Sequence, residues 1–278
     1  MIRTLGTPLL AVACLLLAPH AFAQSDSAAV DSSASADQGE SKPPRRYRVA
    51  LGPQLTPRFP GSDDVRVTPL FDLSMTRGDE PFRFEAADES FGIPLIHLGG
   101  LKIGPAANFE GSRRRKETGL AVDEVGTTVE LGGMAEFWLG RGLRVHGEVR
   151  QGVNGHGGLI SNLGFDYVAR HGDKWLVSLG PRVALSDSKF QDAYFGVNAA
   201  AAARTGLATY DPDGGVHAVG ASATALYQFT PRWGVYAYAK YDRLIGDAAD
   251  SPIIRTIGSR NQLSGGGALT FTFGKGVR

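Results

Sequence analysis

Near the end of the chain, three consecutive segments alternate apolar and polar residues without interruption, and this constrains the fold more than any other feature. In the last segment Leu263, Gly265, Gly267, Leu269, Phe271 and Phe273 share one face, while Ser264, Gly266, Ala268, Thr270 and Thr272 share the other. The segment before it sets Trp233, Val235, Ala237, Ala239 and Tyr241 against Tyr236, Tyr238, Lys240 and Asp242. The first sets Val219, Ala221, Ala223, Ala225, Tyr227 and Phe229 against Gly220, Ser222, Thr224, Leu226 and Gln228. Side chains alternate across a strand, so each segment reads as an amphipathic β-strand. Strands of soluble sheets average about five or six residues, whereas a tilted strand crossing a bilayer needs about 9 to 11. Residues 219–229, 233–242 and 263–273 belong to the longer class, and the aromatic ends of the last suit the girdle of an outer-membrane barrel.

The same alternation recurs upstream at 47–56, 65–75, 82–87, 101–109, 127–139, 143–150, 159–170 and 175–186, which makes eleven readable strands. A bacterial barrel with both ends in the periplasm has an even number. The expectation is therefore an all-β fold, an antiparallel transmembrane outer-membrane β-barrel of about twelve strands, with ten as the alternative and the ambiguity confined to residues 82–125. Pro69 predicts a bulge in the second strand. Short connections at 77–79, 140–142, 171–174 and 230–232 belong in the periplasm, and the longer ones outside. The loop 111–125 carries Arg113-Arg114-Arg115-Lys116, which reads as solvated and within reach of lipopolysaccharide phosphates. In the long connection 187–215, the run Ala199-Ala200-Ala201-Ala202-Ala203 predicts a short helix.

The strand 143–150 places Leu143, Val145, Gly147 and Val149 on one side and Arg144, His146, Glu148 and Arg150 on the other. With lipid outside, the charged side must face the lumen, because Arg or Lys at mid-bilayer costs about 2 to 4 kcal/mol. Lys240 and Asp242 join these as candidate lumen charges. Val145 is accordingly expected to face lipid and His146 the lumen.

The chain opens with Arg3, an apolar run at 9–17 and Ala21-Phe22-Ala23, the layout of a secretory signal peptide over residues 1–23. A lipoprotein reading at Cys14 is the rival, though it would leave Leu15-Leu16-Leu17 as the new N-terminus. Cys14 is the only cysteine, so cleavage after Ala23 leaves no disulfide and no thiolate site. Cleavage also removes Arg3, so the 29 basic residues fall level with the 28 acidic ones and no basic excess points to nucleic acid. Residues 24–46, rich in Ser, Ala, Asp and Gln, read as a disordered periplasmic leader, 47–273 as the barrel and 274–278 as a short tail.

Several segments carry a resemblance. They are Pro60-Gly61-Ser62-Asp63-Asp64 with Pro69-Leu70 after it, Val129-Glu130-Leu131-Gly132-Gly133, Gly155-His156-Gly157-Gly158, Ala193-Tyr194-Phe195-Gly196-Val197 and Thr205-Gly206-Leu207. Most specific is Tyr241-Asp242-Arg243-Leu244-Ile245-Gly246-Asp247-Ala248-Ala249-Asp250-Ser251-Pro252-Ile253. Over residues 47–273 the chain resembles the MipA/OmpV family, the MltA-interacting outer-membrane proteins. The resemblance implies a non-catalytic barrel without cofactor or metal, in contact with outer-membrane lipid and lipopolysaccharide. In the family's best-known branch the barrel is a scaffold joining a murein lytic transglycosylase to a peptidoglycan synthase. A passive small-solute channel and a surface adhesin are the alternatives.

The motifs themselves read as rigid loops. Asp247, Asp250 and Ser251 offer oxygens to a hard cation but lack the spacing of a calcium loop, so a polar loop tip is the better reading. At Gly61-Ser62-Asp63-Asp64, Gly61 supplies the backbone freedom of a turn and Asp63 or Asp64 a bond to a nearby N–H. Gly155-His156-Gly157-Gly158 reads as a tight surface turn. A hydrolase would need His146, Glu148, Asp166 and Asp242 to converge with a nucleophile, which spacing alone does not provide.

Overall fold

The computed structural model describes residues 43–275; the predicted signal peptide and most of the leader lie outside the described residues. The strands are β1 (Arg45–Pro57), β2 (Val65–Arg77), β3 (Phe91–Gly92), β4 (Ile96–Leu98), β5 (Leu101–Glu110), β6 (Thr128–Leu139), β7 (Leu143–Gly152), β8 (Leu159–His171), β9 (Trp175–Ser186), β10 (Gly215–Gln228), β11 (Trp233–Leu244) and β12 (Asn261–Gly274). Short helices lie in the connections: α1 (Arg115–Thr118), α2 (Ser188–Phe195), α3 (Ala199–Thr205), α4 (Gly246–Asp250) and α5 (Pro252–Ile257). One twelve-stranded sheet runs β2-β1-β12-β11-β10-β9-β8-β7-β6-β5-β3, with β4 also on β5. Neighbours are antiparallel, and the curled sheet sets β12 beside β1, with Tyr47 opposite Phe273. Arg45 and Arg46, assigned to the leader by sequence, open β1.

Outward side chains are apolar and open: Val67, Phe71 and Leu73 of β2, Leu179 of β9 and Leu263 of β12 are each more than half exposed. A water-soluble surface rarely shows apolar patches above a few hundred Å², whereas a wall facing hydrocarbon requires such a band. At the short-turn end the band closes in aromatic rings. Tyr47 stacks on Phe273 at 5.5 Å, Trp233 lies 4.7 Å from Phe271, and Trp175 sits opposite Tyr227. This is the interfacial girdle of a membrane barrel. Close strand approach depends on glycine: a Cβ on Gly132 would lie 1.9 Å from the Val149 carbonyl oxygen.

β2 and β3 are the two edges of the sheet, and no ladder joins them among the described residues. Both run toward the short-turn end, β2 antiparallel to β1 and the β3–β4 pass antiparallel to β5. The intervening residues 79–90 return through the barrel interior. Near the short turns the Phe82 N–H donates to Asp173 Oδ1 at 2.9 Å, and Arg170 Nη1 donates to the Phe82 carbonyl at 2.9 Å. Further up, Phe84 meets Trp138 edge-on at 6.5 Å, and the Ser90 N–H reaches Glu148 Oε1 at 3.1 Å.

The strand expected at 82–87 is therefore a lumenal segment rather than part of the wall. Its apolar face has another partner: Phe84 and Ala86 pack on Val168, Leu176 and Leu226, which point inward. The bulge expected at Pro69 is also absent. The β1–β2 register runs unbroken from Arg45↔Arg77 to Pro57↔Val65, with Pro53 opposite Pro69. An edge strand tolerates proline because one of its sides has no ladder to complete.

The long connections fold together over the opposite end. Phe59, Phe190, Tyr194, Phe195, Leu244, Ala248 and Ile254 form one buried cluster, and Val122, Val197, Ala201 and Ile253 a second. Three of the helices that supply them, α2, α3 and α5, start at side-chain caps. Asp187 accepts from the Phe190 N–H and Asn198 from the Ala201 N–H, while Ser251 accepts from the Ile253 N–H with Pro252 in the first turn.

Candidate functional site

Strand alternation sends every second residue of β6 to β9 inward, and antiparallel register sets the charges of neighbouring strands side by side: Glu136 is opposite His146, and Arg144 opposite Asp166. Arg144 is fully buried. Its Nη2 lies 2.7 Å from Glu136 Oε2 and 2.8 Å from Glu89 Oε2, its Nη1 also pairs with Glu89 Oε1, and Nη1 is 3.4 Å from Asp166 Oδ2. Arg182 of β9 bonds Asp166 Oδ1 at 2.7 Å and grips Asp88 through Nε at 2.8 Å and Nη2 at 3.3 Å. Arg150 donates to Glu130 Oε2 at 2.9 Å and pairs with Glu148. Lys240 sits 3.0 Å from Asp242 Oδ2 and 3.7 Å from Asp88 Oδ2.

The lumenal segment is thus bound to the wall by the carboxylates of Asp88 and Glu89, each held in an arginine fork, the strongest form of charge-assisted hydrogen bond. Val145, between Arg144 and His146, is 41% exposed on the outer face, while His146 is 5% exposed within. Among the described residues His146 has no hydrogen-bond partner on either ring nitrogen; its Nε2 is 3.6 Å from Asp166 Oδ2 and 3.8 Å from Glu89 Oε1. Glu89, His146 and Asp166 are the one trio among the described residues whose ligand atoms lie close enough to hold a metal ion. Yet both carboxylates are already neutralised by Arg144 and Arg182, so a cation there would sit against two guanidinium groups. The chemistry of this trio is ion pairing. Beside it, the Ser90 hydroxyl donates to Glu148 rather than to His146, so these two side chains form no nucleophile–base pair.

Arg182, Asp88 and Glu89 were not among the lumen charges expected from the sequence. Arg182 was legible as an inward position of β9. Asp88 and Glu89 carried no signal, because they lie where the alternation fails.

The loop motifs meet in the cap. Gly61 has φ +91°, and its N–H donates to Gln262 Oε1 at 3.1 Å; a Cβ there would fall 2.2 Å from Ile254 Cδ1. Gln262 Nε2 donates back to the Ser62 carbonyl at 3.0 Å. The Ser62 hydroxyl, rather than Asp63 or Asp64, accepts the turn bond, from the Asp64 N–H at 3.1 Å. Asp63 is exposed, and Asp64 lies 3.5 Å from Arg58. The buried Ser251 hydroxyl donates to the Phe195 carbonyl at 2.6 Å. Gly246 opens α4 with φ +56°. Asp247 Oδ2 accepts from the Asp213 N–H at 2.8 Å, and Asp250 pairs with Arg255 and Arg260 at 2.9 and 3.0 Å. These oxygens tie loops to one another. His156, expected in a surface turn, is buried, with Nε2 3.1 Å from Glu130 Oε1.

Arg113, expected in a solvated loop, is 1% exposed, while Arg114, Arg115 and Lys116 are open to solvent. Burial pushes its guanidinium down to about 10, still charged at neutral pH. It donates to the Tyr194 and Asp123 carbonyls, the latter at 2.8 Å. Arg113→Ala strands both carbonyls, at about 1 to 3 kcal/mol each if they stay dry. Limited proteolysis is expected to cut the variant within residues 187–214, with the heat-modifiable gel shift of the barrel retained; an uncut cap would deny Arg113 this role.

Residues 49–273 match the family described as MltA-interacting protein MipA. The chain belongs to this family. It is an outer-membrane β-barrel protein of the bacterial envelope, as the lipid-facing band and girdle require. No curated protein matches the sequence. Among solved structures, the COG4313 outer membrane channel from Pseudomonas putida F1 is similar at 11% identity and TM-score 0.39, over 86% of this chain and 100% of that one. A loop-deletion mutant of OmpT, an outer membrane protein of Vibrio cholerae, is similar at 10% identity and TM-score 0.35, over 82% of this chain and 99% of that one.

Proposed function

We infer that this barrel is a non-catalytic scaffold: its periplasmic end holds a murein lytic transglycosylase and a peptidoglycan synthase. The partner class comes from the family, whose description is an MltA-interacting protein. The observation that carries the reading is the obstructed lumen. With residues 79–90 bound across the interior through Arg144 and Arg182, the barrel at rest has no working bore, and its useful surfaces are its two ends. At the periplasmic end Arg141, Lys174 and Arg232 stand exposed on three of the short turns, with Asp79 and Glu80 exposed beside the fourth, a charged rim suited to a complementary face of a partner. A photocrosslinker placed at each of the three basic positions in cells is expected to capture a lytic transglycosylase, while one at Lys116 on the cap captures none. Failure at all three periplasmic positions would sink the scaffold reading. A passive channel is the second reading, and it requires steady conductance from the unmodified protein in planar bilayers; none is expected.

A further inference from the structure

We propose that the barrel is a closed pore for small anions, and that residues 79–90 are its gate. This goes beyond the scaffold reading and does not depend on it. Cavities of about 460, 340 and 700 Å³ are each lined by part of this segment: Glu80 to Phe84, then Arg83 to Phe91, then Ala87 to Glu89. The segment is therefore what separates them. The last cavity lies under the cap, and its lining runs out to Arg66 and the exposed Phe109 between the upper ends of β2 and β5.

The gate has a place to go. A strand standing between β2 and β3 must run opposite to both, and residues 79–90, which join them in the chain, already do. Their sequence suits the wall, with Phe82, Phe84 and Ala86 alternating against Arg83, Glu85 and Ala87. Residues 82–87 then form the missing strand, and Asp88, Glu89 and Ser90 the turn into β3. That move completes the antiparallel order and covers two sheet edges whose unpaired backbone groups are costly beside lipid. It also withdraws Asp88 and Glu89 from the lumen, leaving the forks of Arg182 and Arg144 open on the bore. Forks that hold a carboxylate at both nitrogens fit a carboxylate or phosphate in the same way. The two side chains of the gate occupy the anion's place, so an anion that competes for the forks favours the open arrangement.

The test is single-channel recording of the purified full chain in planar bilayers. Wild type is expected to stay closed, and Asp88→Asn with Glu89→Gln to open at least about tenfold more often, the factor expected from weakening two charge-assisted pairs. In a potassium chloride gradient the reversal potential should fall on the chloride side. Glu85→Gln, whose pair with Arg83 lies within the segment, should stay closed. A folded double variant that stays closed, one that selects potassium, or a wild type that conducts steadily overturns the proposal. If the double variant does not fold, labelling decides. Cys14 is the only natural cysteine and lies in the predicted signal, so maleimide labelling of Ala87→Cys reports the gate alone. Inorganic phosphate should speed that labelling severalfold over chloride at equal ionic strength, and an unchanged rate overturns the proposal.

Discussion

Arg144→Met is expected to cost about 3 to 5 kcal/mol, the usual penalty for removing one partner of a buried ion pair. Arg144 is fully buried and is shared by Glu136 of β6, Asp166 of β8 and Glu89 of the lumenal segment. Glu136 keeps Arg83 and Lys102 at 3.0 Å, and Asp166 keeps Arg182, whereas Glu89 has no other arginine or lysine among the described residues. The uncompensated charge therefore falls on the lumenal segment. Urea unfolding in detergent micelles, followed by heat-modifiable gel mobility, should show a lower midpoint. Adding Glu89→Gln to Arg144→Met should restore part of the loss, because it removes the stranded carboxylate. If the single variant unfolds at the wild-type midpoint, the ion-pair ladder does not hold the segment in place.

Val149→Arg is expected to hinder insertion by about 2 to 4 kcal/mol, the cost of a cation facing lipid near mid-bilayer. Val149 is 50% exposed on the outer face of β7, between the inward Glu148 and Arg150 at 5% each. Val145 lies nearer the short turn and Val153 just beyond the strand's end, so arginine there should cost progressively less toward the interfaces. Refolding yield in lipid vesicles across the three variants gives the depth profile. Equal yields at all three positions would mean that this face does not meet hydrocarbon. His146→Arg is not the neutral control that alternation alone suggests. A Cβ on Gly164 would lie 2.0 Å from His146 Nε2, so the ring sits against the next strand, and a permanent cation in its place would join Arg144 and Arg182 around Asp166.

The wall was legible in the chain before any tertiary contact was known. Period-two alternation over long segments is a local property, and it is strong wherever one face meets lipid and the other a charged lumen, so β1, β2 and β5 to β12 were legible from their side-chain types. The inward placement of Arg144, His146, Glu148 and Arg150 follows from the same arithmetic, since one residue of slip would turn four ionisable groups into the bilayer. Alternation does not say which apolar surface a strand-like segment will find. Residues 82–87 carry the pattern of a wall strand, yet Phe84 and Ala86 pack on Val168, Leu176 and Leu226 inside the barrel. That choice depends on residues more than fifty positions away, and on Asp88 and Glu89 meeting Arg182 and Arg144 across the lumen. The cap is the same case. Gly61, Ser251 and Arg113 looked like loop residues, and only tertiary packing shows them buried beside Ile254, the Phe195 carbonyl and the Tyr194 carbonyl. Local pattern reports which faces a strand must have, whereas the partners of a buried polar group are set by long-range contacts that leave no periodic trace in the chain.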